Sequence, residues 1–482
     1  MKYILNTMAH LFGPFLFLLI LFIPINLEQN QKYFLAIFLM VISNWLFTKY
    51  PLYISGFIGV GLSAIMGVTT YQKALAPFSH SIIFLFLGGF LFAKAMNKTK
   101  LDVRISLYIL SRNILKGSIK RIIIALMGLT AFFSMWVSNT ATTAMMLPIT
   151  LGVLASLNIK EKRLISLILL GIAYSASIGG LGTPIGSIPN IVSIGLLAQT
   201  ANIHINFVSW TLFGIPIVIL FLIVLCLYIF KQIPTNTIKF DNKFLYKQFK
   251  ELPSISKNEK WVLLLFLMTI FFWFSPSLLS TFLGKEHQIA IFFKERFNSG
   301  IVAMFFSSFL FIAPLSTSNK DGKGKILAQE DIKSIDWPSL LLFGTGLSLG
   351  KTLFDTGLAN IVGNQILVLF SGSGVLVLLL VLVFFSIFST EVASNTATAN
   401  ILIPIVIAMS LNLGLPPEIL TVAIALACSL AFMLPVATPP NAIVYGSGLI
   451  DMNDMIKLGF KLNIICGVVL SLTFFFGYKF LY

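Results

Sequence analysis

Two polar clusters, Ser138-Asn139-Thr140-Ala141-Thr142 and Ser394-Asn395-Thr396-Ala397-Thr398, recur 256 positions apart, each at the middle of an otherwise apolar stretch. The repetition extends to both sides. Pro148-Ile149 returns as Pro404-Ile405 at the same offset, and Thr183-Pro184 returns as Thr438-Pro439 at offset 255. The run from Gly89 through Lys94 to Leu101 returns as Gly346 through Lys351 to Leu358 at offset 257. Such a chain folds as two copies of one unit, and each copy reads as span, hairpin and broken span.

The solvent of that fold follows from composition. Of 482 residues, 57% are hydrophobic and only 10% are charged, too few charges to cover a soluble protein of this length. Eleven candidate spans fall near 11–26, 33–49, 51–69, 76–96, 162–199, 207–230, 261–283, 298–316, 338–356, 417–449 and 457–481. The first lies behind a single Lys2, shows no convincing cleavage site, and reads as a retained span. Two runs are too long for a simple crossing and are interrupted, one by Gly179-Gly180-Leu181-Gly182-Thr183-Pro184 and one by Pro435-Val436-Ala437-Thr438-Pro439-Pro440-Asn441. Residues 121–157 and 373–412 carry the polar clusters between arms short of a full span, which predicts re-entrant helical hairpins. Residues 97–120 mix basic and aliphatic side chains as a surface amphipathic helix does, and 231–260 and 317–337 are polar connectors. The expected organisation is scaffold helices at 1–75, a first repeat at 76–230, connectors and scaffold at 231–337, and a second repeat at 338–482.

The net charge of +16 sits in short loops between apolar runs, so it signals topology and contact with anionic lipid rather than nucleic acid. Lys and Arg flank the first hairpin, whereas none occurs from Thr352 to Ile456, around the second. Five crossings separate the hairpins, so they enter from opposite faces, the first from inside and the second from outside. The same count places the N-terminus and both connectors inside. The loop near 285–296, with Lys285, Lys294 and Arg296, then falls outside, against the charge rule. Inverted repeats with interrupted helices are the pattern of secondary transporters, whose sites lie where the breaks converge.

The polar tips suit ions of both signs. Helix N-termini present free N–H groups to an anion, and released carbonyls with Ser, Thr and Asn oxygens suit a hard cation such as Na⁺. The amides of Asn139 and Asn395 can serve either, and Thr140 and Thr396 offer hydroxyls to an anion. An isolated Ser-Asn-Thr at a turn need only satisfy local backbone. Two matched copies, each followed by a Thr-Pro break, point to binding. Pro148 and Pro404 read as kinks. Glu391 is the most deeply placed carboxylate, fitted to tuning an ion site or to a structural hydrogen bond, and Lys351 and Asp355 are spaced to pair. Cys226, Cys428 and Cys466 lie in apolar runs with no metal or redox spacing, and His10, His80, His204 and His287 are scattered. A metal centre or an intramembrane enzyme lacks its residues here, and paired hairpins fit alternating occlusion better than an open channel.

At these residues the chain resembles the divalent anion/sodium symporter family, over nearly its whole length. The resemblance rests on the paired Ser-Asn-Thr tips, the Gly182-Thr183-Pro184 and Ala437-Thr438-Pro439 breaks, and the basic segment before the first hairpin. It implies sodium-coupled symport of dicarboxylates such as succinate, malate and fumarate, by a homodimer with an elevator mechanism in a bacterial inner (cell) membrane. It further implies one sodium site at Ser134, Ser138, Asn139 and the Gly182 backbone, and a second at Thr390, Ala393, Asn395 and the Ala437 backbone. The substrate would sit among Asn139, Thr140, Thr183, Ser394, Asn395, Thr396 and Thr438. The first break departs from the second by four extra residues before its Pro-Asn. Sodium-independent exchange, and sulfate or citrate as cargo, are the alternatives within the same fold.

Overall fold

The computed structural model describes residues 2–115, 118–157, 159, 161–233, 242–312, 325–369 and 374–481, and every element among them is a helix. Parts of both polar connectors, with Lys116 and Lys160, lie outside the described residues. Seven helices among the described residues are long and apolar enough to cross a bilayer, Lys162–Gly179, Phe207–Phe230 and Lys257–Leu283 among them. Others, such as Leu52–Ile65 and Ile188–Thr200, are apolar but shorter. The protein is a polytopic, all-helical membrane protein.

A pair of helices joined by a tight tip forms at each expected place, with arms longer than the sequence implied. Ile119–Ser134 and Asn139–Ser156 flank the first tip, and Val375–Val392 and Asn395–Asn412 flank the second. Each arm of the second hairpin has 18 residues, about 27 Å at 1.5 Å per residue. Short arms therefore do not define the hairpin. The tips do, because Ser138 and Ser394 take extended backbone and act as N-caps, so each chain reverses there and starts a new helix.

Each repeat holds one helix more than the span, hairpin and broken span expected of it. Helix Ser81–Thr99 ends at Lys100 in the left-handed region (φ 58°), and Leu101–Leu110 follows directly. Helix Trp337–Asp355 is followed by Gly357, also left-handed (φ 74°), and then by Leu358–Leu369. Each unit thus holds a span, a left-handed turn, a short helix, a hairpin and a broken span. The short helix of the second unit is uncharged, so the charge pattern that marks 97–120 could not mark it. In the first unit this helix docks on the connector helix Lys243–Glu251, which the sequence reading left as polar chain. Arg104 ion-pairs with Glu259 and donates from Nη2 to the Pro253 carbonyl at 2.8 Å. Asn242 donates to the Ser111 carbonyl at 2.7 Å. Lys351 and Asp355 pair as expected, at 2.9 Å.

Two groups of buried side chains organise the rest. Phe34, Ile37, Val41 and Trp45 of helix Gln29–Phe47 pack with Val60, Leu342, Leu349 and Leu353. The larger group joins both hairpins and both broken helices to Phe207–Phe230 and Lys257–Leu283. The three cysteines are unpaired, with Cys428 and Cys466 buried. Close approach between helices depends on missing side chains. A Cβ on Gly300 would stand 2.0 Å from the Ser81 carbonyl oxygen, and one on Gly88 would stand 2.7 Å from the Ala303 Cβ. Gly300→Val and Gly88→Val should each cost about 1–3 kcal/mol by overpacking. Gly61→Ala, where nothing lies within 4 Å, should leave stability unchanged. Thermal unfolding in detergent checks the contrast.

Candidate functional site

The centre of the molecule is built by two helix breaks. Lys162–Gly179 stops, and the chain resumes as a helix at Ile188–Thr200. Pro417–Ala427 stops, and the chain resumes at Pro439–Tyr445. One asparagine spans each gap. Asn190 Nδ2 donates to the carbonyls of Gly180 and Thr183, both at 2.9 Å. Asn441 Nδ2 donates to the carbonyls of Ala431 and Leu434, both at 3.0 Å.

These partners correct the register of the repeat. Asn190 and Asn441 are 251 apart, and so are the carbonyls they hold. At that offset Pro184 matches Pro435, Gly186 matches Ala437, Ser187 matches Thr438, and Pro189 matches Pro440. Matching Thr183-Pro184 to Thr438-Pro439 makes four residues appear extra, and at offset 251 none is. Backbone angles agree, since Ser187 (φ −146°, ψ 143°) and Thr438 (φ −140°, ψ 148°) are both extended N-caps.

The consequence falls on two expected site residues. Thr183 is fully buried and donates its hydroxyl to the Met135 carbonyl, away from the central cavity. Gly182 packs beside the Met135 side chain and the backbone of Gly214, also away from it. Ser187 and Gly186 occupy the places where Thr183 and Gly182 were expected.

The cavity itself has a volume of about 420 Å³. Both tips and both breaks line it: Ser138, Asn139 and Thr140 with Gly186 and Ser187 from the first repeat, and Ala393, Ser394, Asn395 and Thr396 with Ala437 and Thr438 from the second. Four helices begin at its wall, capped by Ser138, Ser187, Ser394 and Thr438. Their N-termini present partial positive charge to the cavity, less where Pro189, Pro439 and Pro440 lack an N–H. Among the described residues, no Lys, Arg or His lines it. Sequence reasoning missed Asp336 and Ser339 on the rim, and Phe86 and Phe90 in the wall. Asp336 is the N-cap of Trp337–Asp355, accepting from the Ser339 N–H at 3.2 Å and from the Ser339 hydroxyl. Its Asp-Trp-Pro-Ser start was a legible helix signal.

Behind each tip lies a cluster of oxygens. The Asn139 side-chain amide lies 2.6 Å from the Ser134 hydroxyl, and the Thr390 hydroxyl lies 2.6 Å from Asn395 Oδ1 and 2.9 Å from the Cys428 carbonyl. With the Asn139 amide turned over, its nitrogen reaches the carbonyls of Ala176 and Gly186, both at 3.2 Å, and Ser134 Oγ at 2.6 Å. That spot is therefore a ring of acceptors, filled either by an NH₂ group or, with Oδ1 facing in, by a small hard cation.

The two breaks are tied to each other. The Ser187 and Ser429 hydroxyls lie 2.8 Å apart, and the buried Tyr174 hydroxyl donates to the Phe432 carbonyl at 2.7 Å. They solve their backbone problem differently. The first, rich in glycine, tightens so that Leu181 and Gly182 donate to carbonyls three residues back. The second is extended, and Glu391 accepts from the N–H groups of Phe432, Met433 and Leu434 at 2.7, 2.8 and 3.1 Å. Asn463 Nδ2 donates to the same carboxylate at 2.6 Å. Of the two roles open to Glu391, the structure gives it the structural one.

The architecture defines a membrane carrier with a pseudo-symmetric central site. A sequence profile of the sodium:sulfate symporter transmembrane region matches residues 5–481, and the chain belongs to that family, the divalent anion/sodium symporters. It is 36% identical to the sodium-dependent dicarboxylate transporter SdcS of Staphylococcus saprophyticus, over 96% of this chain and 90% of that one. It is 34% identical to SdcS of Staphylococcus aureus (strain USA300), over 96% and 89%. The fold is similar to the crystal structure of the Alcanivorax borkumensis YdaH transporter, with a TM-score of 0.58 at 14% identity, covering 94% of this chain and 99% of that one.

The Glu391 arrangement makes a graded prediction. Glu391→Gln keeps one acceptor oxygen and should cost about 1–3 kcal/mol, whereas Glu391→Met leaves three buried N–H groups unpaired and should cost more. Scanning fluorimetry should rank melting temperatures wild type, then Gln, then Met. Equal values would contradict the structural role.

Proposed function

We propose that this protein is a sodium-coupled symporter of C4-dicarboxylate-type anions such as succinate, malate and fumarate. The observation that carries the reading is the central cavity, where four helix N-termini meet and no cationic side chain is present. Their partial positive charge favours an anion there. The names of the curated relatives support sodium and a dicarboxylate.

In this reading Asn139, Thr140, Ser187, Ser394, Asn395, Thr396 and Thr438 hold the anion. Ser134, Ser138, Asn139 and the Gly186 carbonyl hold one sodium ion. Thr390, Ala393, Asn395 and the Ala437 backbone hold the second. Coupling follows from the Asn139 amide. Without the ion, its NH₂ fills the ring of acceptors beside Ser134, Ala176 and Gly186. A sodium ion in that ring requires Oδ1 to face it, which turns the NH₂ toward the cavity, where a carboxylate can accept it. Anion affinity then rises with sodium and, by linkage, sodium affinity rises with the anion. Both hairpins and both broken helices belong to the part that moves, and the N-terminal helices belong to a scaffold that pairs two copies, so transport is of the elevator kind.

Uptake of labelled succinate into proteoliposomes tests this. An inward Na⁺ gradient should drive uptake, and K⁺ or choline should not. Asn139→Ala and Asn395→Ala should each lower uptake at least tenfold, the effect of about 1.4 kcal/mol or more. Asn139→Asp keeps an oxygen for sodium but loses the donor, so it should retain sodium binding while losing succinate affinity. Sodium-independent exchange with internal succinate would replace symport by exchange. The family name makes sulfate the next substrate to try.

A further inference from the structure

The basic loop that ran against the charge rule folds as helix Gln288–Arg296, and its Lys294 stands at a second cavity of about 310 Å³. This cavity backs onto the central one. Leu85 and Pro184 belong to its wall, and the next residues along each segment, Phe86 and Ile185, belong to the wall of the central cavity. Lys294 shares the second cavity with His80 and His204, and among the described residues no carboxylate lines it. Lys294 and His204 are exposed, and Lys294 forms no ion pair among the described residues. Three helices also start there, capped by His80, Asn206 and Asn298, and their N–H ends add to the positive field.

The repeat relation gives the side. His80 and Asp336 are N-caps 256 residues apart, heading the corresponding helices Ser81–Thr99 and Trp337–Asp355. Asp336 is on the rim of the central cavity and His80 is on the rim of the second. Corresponding ends of an inverted repeat face opposite sides of the membrane. The basic connector before Asp336 belongs inside, so His80 and Lys294 belong outside.

We propose that the second cavity is an outer anion site, an antechamber that collects the small divalent anion before it enters the central cavity. The proposal rests on the carrier reading and supplies what the central site lacks. Dipoles act at contact range, whereas a fixed charge on a concave rim attracts an anion from solution and raises its local concentration. This assigns the outside basic loop a function that topology alone does not.

Ser277, half-buried in the same wall, provides a reporter when changed to Ser277→Cys in a Cys226→Ser background, with Cys428 and Cys466 left buried. Membrane-impermeant methanethiosulfonates, one anionic and one cationic, are added outside to proteoliposomes of known orientation. The anionic reagent should react faster. Lys294→Gln should lower the anionic-to-cationic rate ratio about two- to tenfold, and about 0.5 M salt should erase that difference. External succinate or sulfate should slow the anionic reagent. A ratio unchanged by Lys294→Gln, protection by neither anion, or labelling only from inside would overturn the proposal. Succinate uptake by the parent protein is scored separately. If sodium-driven uptake is absent while the ratio shift and protection persist, the carrier reading fails and the outer anion site stands.

Discussion

A helix broken within a membrane leaves N–H and carbonyl groups that no water can satisfy, and the centre of this protein is arranged around pairing them. Asn190 and Asn441 do this in the same way, each reaching across its break to two released carbonyls. Two further hydrogen bonds, between Ser187 and Ser429 and from Tyr174 to Phe432, lock one break to the other. The second half of each broken helix then packs on the opposite repeat. Ile188–Thr200 lies against Asn395–Asn412 and Pro417–Ala427, and Pro439–Tyr445 lies against Asn139–Ser156 and Lys162–Gly179. Four helix N-termini are thereby aimed at one space.

The two breaks reach this arrangement by different chemistry. Glycines at 179, 180 and 182 let the first close into a tight turn that satisfies its own N–H groups. A Cβ on Gly179 would meet the Ala131 carbonyl oxygen at 2.3 Å, so the hairpin also relies on that glycine to approach. The second break has Leu430, Ala431, Phe432 and Met433 at the matching places and cannot tighten as closely. Its N–H groups turn to Glu391, a charge that is tolerable at depth because four donors surround it. The residue matching Glu391 in the first repeat is Met135, whose side chain packs on Gly182.

How much was legible depended on whether function or packing wrote the signal. The Ser-Asn-Thr tips were plain because their residue types and spacing repeat without change. The breaks were seen, but their register was misread, because Thr-Pro occurs in both by coincidence while the residues that set the register, Pro184, Pro189 and Asn190 with Pro435, Pro440 and Asn441, are spread over seven positions. The helix Leu358–Leu369 was hidden because it is apolar and uncharged, unlike its partner Leu101–Leu110. The rim residues Asp336 and Ser339 come to the cavity through the crossing of distant segments, which no local pattern records.

The absence of a fixed cation from the central cavity has a physical reason. In the proposed symporter, a buried lysine there would bind the anion whether or not sodium was present, and anion would then move without the ion. Dipoles and a ring of oxygens that an ion would complete would instead make anion binding conditional, the difference between two states that coupling requires. The same logic frees the outer rim to carry charge. Lys294 is exposed, so its charge costs little desolvation, and in the proposed outer site it would attract an anion without trapping it. On the two proposals together, fixed charge outside and conditional charge inside would be two parts of one requirement: to attract an anion from afar without binding it unconditionally at the centre.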